Sequence, residues 1–347
     1  MIMNKLLLTF SVIWFFIFSV DAQDVHFSNM EQSPLTLNPA LAGANHDIQA
    51  IINYRTQWNT VGAPFQTIAA SADMRLNSNK RSKKGYLAVG LNFFNDQAGQ
   101  ARIATNNVNL NVAYHLMVND ENTIGLGMYT GLGQRSLDVA DGQWGSQYVG
   151  GAYNSNIPSG ESFTNRNFTF FDVGAGLVYT YGVDETSMRK NDGVKINAGY
   201  AVFHMNRPAY SFVENGEDPL YMRHAIFANA SIGIGSTTMS IDPGVYVQVQ
   251  GPSSEILFGA DYRVHLNEGS KITGQIKKSS IAFGGFFRNR DAVIARVLLE
   301  YADFGGGFSY DFNISTLSEI TRTRGGAEFF LRWNMSNPFS TATKARI

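Results

Sequence analysis

The sequence predicts an all-β protein, a transmembrane antiparallel up-and-down β-barrel of about 14 strands following a cleaved signal peptide. Three observations carry the prediction. Charged residues make up only 16% of the 347-residue chain while 44% is hydrophobic and 13% aromatic, against about 25% charge in an ordinary soluble domain. A mean hydropathy of −0.13 nevertheless excludes a polytopic helical membrane protein. Finally, apolar and polar residues alternate with period two over runs long enough to cross a bilayer as strands, which need about 9–11 residues when tilted.

The first element is a leader. Lys5 precedes an apolar run from Leu6 to Val20, and Val20 and Ala22 fill the −3 and −1 positions of a signal-peptidase site before Gln23. The run is short for a spanning helix and its flanks are those of an export signal, so residues 1–22 read as a Sec-type signal peptide. No cysteine follows it, which excludes lipoprotein processing; the chain has none at all, and with them go disulfides, thiolate nucleophiles and Cys-ligated metals. A net charge of −1 offers no footprint for nucleic acid.

Residues 23–47 form an N-terminal segment without alternation, expected either to plug the lumen or to contact periplasmic machinery. From 48 to 335 the strands follow one another. The clearest runs from Val108 to Leu116, with Val108, Leu110, Val112, Tyr114 and Leu116 on one face and Asn109, Asn111, Ala113 and His115 on the other. Ile256 to Leu266, Val293 to Tyr301, Phe308 to Ile314 and Phe329 to Trp333 repeat the pattern. Gly125, Gly127, Gly174 and Gly176 take the polar face of two others. The expected spans are 48–59, 65–76, 85–97, 103–117, 123–135, 168–181 and 194–206. They continue with 223–235, 238–250, 255–266, 280–288, 293–302, 305–314 and 326–335, leaving 336–347 as a C-terminal tail. A soluble β-sandwich would have shorter strands and more surface charge. Aromatic residues near the ends of the oily rows suit interfacial girdles.

With the first strand starting from the periplasm, the two longest connections, 136–167 and 207–222, fall outside, as the architecture requires. The basic turn at Lys80 to Lys84 and the turns at 119–122 and 235–237 fall inside. The 136–167 connection carries Trp144, Tyr148 and Tyr153 among Gly, Ser and Asn. It reads either as a binding loop, making these three the candidate docking residues, or as a plain solvated loop.

Catalytic chemistry is not legible. No nucleophile elbow, HExxH, phosphate loop or metal-spaced His cluster occurs, so no catalytic, cofactor or metal residue is predicted. His115 and His265 sit singly on lumen rows and read as hydrogen-bonded lumen residues. Asp172, Asp261, Asp311, Glu300 and Glu328 are expected to pair inside the barrel with Arg263, Arg296 and Arg332, without any acid–base role. A passive porin and a lumen enzyme are the rival readings.

Several stretches together carry a resemblance. They are Asp24 to Ser28; Pro34 to Gly43, containing Leu37-Asn38-Pro39-Ala40-Leu41-Ala42-Gly43; Tyr54-Arg55-Thr56-Gln57-Trp58; and Ser71-Ala72-Asp73. Later come His204-Met205-Asn206-Arg207-Pro208, Gln250-Gly251-Pro252, Arg288 to Ala292 with Asp291, Gly307 to Asn313 with Tyr310 and Asp311, and Gly325-Gly326-Ala327-Glu328. In order and spacing the mature chain resembles the PorP/SprF family of type IX secretion outer-membrane proteins of Bacteroidota. It departs from the family in having Asp24-Val25 in place of the usual Asp-Pro. The resemblance implies a non-enzymatic outer-membrane barrel that supports secretion or cell-surface anchoring of a cargo with a type B C-terminal sorting domain, often an adhesin or gliding-related protein. Expected partners are that cargo, other type IX components and the lipid bilayer. The resemblance marks Asn38, Pro39, Gly43, Tyr54, Arg55, Gln57, Trp58, Asp73, Asn206, Arg207, Pro208, Gln250, Gly251, Pro252, Arg288, Asp291, Tyr310, Asp311, Asn313 and Glu328 as motif positions, structural or partner-contacting.

Overall fold

The structure is a computed structural model that describes residues 24–59, 62–76, 84–138, 142–160, 166–183, 193–212, 218–235, 237–267, 277–316 and 318–335. The leader, the tail and most of the 80–84 turn lie outside the described residues.

Alternation becomes fourteen long strands: β1 (Ile48–Gln57), β2 (Phe65–Arg75), β3 (Gly85–Ala98), β4 (Ile103–Met117), β5 (Asn122–Ser136), β8 (Asn167–Val183), β9 (Val194–Phe203), β10 (Arg223–Gly233), β11 (Met239–Gln250), β12 (Ser253–Asn267), β13 (Ser279–Arg288), β14 (Ala292–Tyr301), β15 (Phe304–Asn313) and β16 (Arg324–Met335). The short hairpin β6 (Tyr148–Val149) and β7 (Ala152–Tyr153) projects from the connection after β5. Each long strand pairs antiparallel with its neighbours, and β1 pairs β16 in register from Ile48↔Met335 to Gln57↔Gly326, closing the barrel. Closure matters because an open edge would leave backbone N–H and C=O groups bare in hydrocarbon.

The expected spans agree with these strands to within a few residues. The largest overrun is β9, expected to reach 206. It ends at Phe203 because His204 turns into the left-handed region (φ 57°) and points its ring into the lumen.

Period two puts the two faces where alternation requires. On β4 the outward Val108, Leu110, Val112, Tyr114 and Leu116 are 42–49% exposed, whereas the inward Asn109, Asn111, Ala113 and His115 are 0–7% exposed. The outer wall is therefore apolar, and the lumen row of β4 is mostly polar, the reverse of a soluble barrel. Among the described residues no helix is long and apolar enough to cross a membrane.

The two ends differ. At one, the longest connections between strands are 137–166 and 204–222; at the other, the longest are 184–193 and 268–278. Residues 24–47 lie within the barrel. They enter the described structure near the long-loop end, descend through short helical turns at Met30–Gln32, Pro34–Leu37 and Pro39–Leu41, and join β1 at the opposite end. Met30, Leu37, Ala40, Leu41 and Ala44 pack with Tyr129, Val178, Phe203, Phe227, Tyr246, Leu257, Phe286 and Ile294 of the wall. The middle of the lumen is thus occupied by a protein-like core.

Candidate functional site

The site is the interface between this internal segment and the strand residues that hold it. Small wall residues let the segment in. A Cβ at Gly127 would lie 2.4 Å from the Ala40 nitrogen, and one at Gly176 would lie 2.0 Å from Asn38 Oδ1. Asn38 itself is the central clasp: its Oδ1 accepts from Ala40 N (2.8 Å), and its Nδ2 donates to the carbonyls of Leu177 (3.0 Å) and Tyr200 (3.2 Å) on β8 and β9. Pro39 begins the following turn, where a missing N–H costs nothing. Near the short-loop end Gly43 (φ 64°) donates its N–H to Asp73 (2.8 Å), and the Ala42 carbonyl accepts from His115 Nε2 (2.8 Å).

The densest charge cluster lies in the long-loop half. Arg55 of β1 donates to Asp311 (2.8 Å) and Glu328 (3.1 Å), and also to Ser28 Oγ. Arg288 of β13 donates to Asp311 (3.0 Å), Asp291 (3.0 Å) and Ser28 Oγ (2.8 Å). Glu328 accepts the backbone N–H groups of Ser28 (2.7 Å) and Asn29 (3.1 Å). Arg55 is 1% exposed and Glu328 fully buried. Burying such charges is costly, and the cost is offset only by multiple hydrogen bonds of this kind. His26, beside Arg288 and Arg55, is held neutral: burial first, then those two guanidiniums, push it down to about 3.

A second clasp holds the start of the segment. Asp24 donates its N–H to Gln250 Oε1 (2.9 Å), and its carboxylate meets His204 Nε2 (2.5 Å) and Arg223 Nε (3.3 Å). His204 Nδ1 bonds Asp172 (2.9 Å), which also accepts from the Tyr129 hydroxyl (2.7 Å). Burial alone would lower the His204 pKa, but Asp24 and Asp172 outweigh it and raise it to about 9. The imidazolium therefore donates from both nitrogens. The Asp24 carboxyl is raised by burial but drawn below its ordinary value by His204 and Arg223. Above this clasp Tyr210 of the 204–222 loop packs edge-on against Phe168 and Phe170, under the Arg135 guanidinium (4.1 Å to the ring centre).

The expected ion pairs need correction. Arg296 pairs with Asp261, and Arg263 and Arg332 both pair with Glu300. Asp311 and Glu328, however, belong to Arg55 and Arg288, and Asp172 belongs to His204. Barrel stagger decides which side chains share a level, and alternation does not reveal it.

Of the motif positions, Asn38, Pro39, Gly43, Arg55, Asp73, Gln250, Arg288, Asp291, Asp311 and Glu328 converge on the internal segment or the cluster holding it. Others shape the long-loop end. Trp58 (φ 55°) packs edge-on to Phe65 after Gln57 ends β1, and Asn206 donates to the Phe171 carbonyl (2.6 Å). Arg207 (φ 44°) and Pro208 continue that turn; Gly251 (φ 55°) and Pro252 form the β11–β12 turn, with Gly251 against the Tyr221 ring; Asn313 donates to Thr321 Oγ1 (3.3 Å). Tyr54 and Tyr310 instead lie on outward rows. Trp144, Tyr148 and Tyr153 stand apart from this cluster, in the 137–166 connection. Tyr148 and Tyr153 pack at 5.5 Å across the β6–β7 hairpin and are 48% and 39% exposed. Sequence reasoning missed Tyr129 and Arg223 as members of the clasp. The only local signal was a lone polar group on the lumen row or at a strand end.

A family model described as type IX secretion system membrane protein PorP/SprF matches residues 19–333. No curated protein matches the chain. Solved structures with a similar barrel include the CymD monoaromatic hydrocarbon channel (11% identity, covering 88% of this chain and 93% of that one, TM-score 0.44). They also include a TodX deltaS2S3 mutant monoaromatic hydrocarbon channel (9%, 87% and 94%, 0.45) and BamA from Haemophilus ducreyi lacking POTRA domains 1–3 (8%, 84% and 71%, 0.43).

Proposed function

We propose, on the premise that the chain belongs to the PorP/SprF family of type IX secretion system membrane proteins, that it works as a plugged outer-membrane anchor whose long loops secure a secreted cargo. The observation that carries this reading is the occupied lumen. Residues 24–47 occupy the barrel and are tied to the wall from Asp24 to Asp47. A barrel occupied in this way has its outer loops, not its bore, as the working surface.

The Sec-type leader directs export and is removed before Gln23. The long-loop end faces outward, and the short turns face the periplasm and the other secretion components. The cargo is a protein with a type B C-terminal sorting domain, such as an adhesin or gliding-related protein. Trp144, Tyr148 and Tyr153 supply its docking patch. Large, stiff aromatics give contact area at low entropic cost, and the β6–β7 hairpin presents two of them on a base that cannot yield. No chemical step is assigned to the protein; its buried carboxylates are used in holding the internal segment.

The test deletes 142–160, or replaces Trp144, Tyr148 and Tyr153 together by Ala, and follows cargo at the cell surface. Barrel insertion should stay normal while cargo appears in the medium. Normal cargo retention in both variants would refute the docking assignment.

A further inference from the structure

Three voids in the outer half of the lumen measure about 20–30 Å³ each, whereas one of about 300 Å³ opens at the short-loop end. That volume lies at the lower end of the range for small-ligand sites. Its lining carries four cationic side chains against three carboxylates, Glu31, Asp242 and Glu300. Arg263 and Arg332 line it from β12 and β16, and Lys195 and Lys278 stand exposed at its rim.

The acids nearby do not balance these charges. Asp242 binds Arg263 (2.7 Å), and Glu300 is shared between Arg263 (2.5 Å) and Arg332. Glu31, the remaining carboxylate of the lining, shares Arg296 with Asp261. Neither Lys195 nor Lys278 has a carboxylate partner among the described residues. The void thus carries surplus positive charge inside low-dielectric walls, which focus the field on whatever enters. His46, which also lines it, reports the same field: burial, then Arg332, Lys195 and Arg75, press its pKa down to about 4.

We propose that this vestibule is a binding site for a small anion with at least two negative groups, phosphate or carboxylate, presented from the short-loop side. The two lysines contact the entering charge, and the Arg263–Glu300–Arg332 bridge supplies fixed guanidinium donors beneath it. Nothing in this assignment depends on the cargo-docking reading.

Calorimetry on the full-length protein in detergent tests it, with pyrophosphate as the phosphate probe and the dipeptide Asp-Asp as the carboxylate probe. At least one should bind saturably, one per barrel, and weaken as salt is raised. Lys195→Gln with Lys278→Gln should lower that affinity about tenfold while leaving thermal unfolding unchanged, since both side chains are exposed. Binding of one probe alone identifies its chemistry as the one recognised. Binding of neither probe, or binding unaltered in the double variant, would overturn the proposal.

Discussion

Arg55 on the first strand and Glu328 on the last stand directly opposite one another across the seam that closes the barrel, and their side chains bond at 3.1 Å. Both also hold Ser28 of the internal segment, Arg55 through the hydroxyl and Glu328 through the backbone N–H. One buried contact therefore joins the two ends of the sheet and the segment within it. Arg55→Met would leave the buried Glu328 carboxylate without its counter-charge, a loss of about 3–5 kcal/mol. Thermal unfolding in detergent should show a markedly lower midpoint, and restoring balance with Glu328→Gln in the same chain should recover part of it. Equal midpoints for wild type and Arg55→Met would refute the seam role.

The Asp24–His204 clasp makes attachment of the first residues pH-dependent. His204 rises from an ordinary 6.5 to about 9 in the folded chain. Its contribution is therefore complete below about pH 6.5 and lost as pH climbs through about 9. At full strength the shift corresponds to about 3 kcal/mol. The Asp24 contribution has the opposite dependence, present above its ordinary 3.8 and lost in stronger acid. The chain has no cysteine, so Val25→Cys gives a single site for a nitroxide. Spin-label mobility should increase through pH 9, and adding Asp24→Asn should abolish that step. A flat profile in the parent would contradict the clasp.

Glycine substitutions should separate the packed lumen from the open outer wall. Gly127→Ala would put a methyl group within 2.6 Å of the backbone at Pro39 and Ala40, an overpacking cost of about 1–3 kcal/mol. Gly285 has nothing within 4 Å of its would-be Cβ, and Gly285→Ala should be neutral to within about 0.5 kcal/mol. Denaturation midpoints of the two variants in one detergent decide it; similar losses would mean that the segment is not seated as described.

Removing residues 24–44 should convert the barrel to a conductor. In planar bilayers the full chain should be electrically quiet, whereas the shortened chain should show steady, salt-dependent channels. An equally conducting full chain would restore the porin reading.

Most of the barrel was legible because strand facing is local. Each side chain of Val108 to Leu116 needs only its neighbours to show which face it takes, and the length of that run already exceeds what a soluble sheet requires. The 137–166 and 204–222 connections likewise appeared as breaks in alternation. The internal segment was harder. Leu37-Asn38-Pro39 announces a turn, yet nothing local says that the Asn38 amide will reach the carbonyls of Leu177 and Tyr200.

By itself, then, the sequence determined a closed, lipid-facing barrel, its strand limits and its two long loops, since period two and turn chemistry act over a few residues. The tertiary structure alone decided that Asp311 and Glu328 meet Arg55 and Arg288, that Asp24 finds His204, and that the middle of the lumen is occupied. Those contacts depend on stagger and on the path of a segment hundreds of residues away in the chain. Charge attracts without regard to sequence position, so its partners are fixed only when closure brings distant strands to one level.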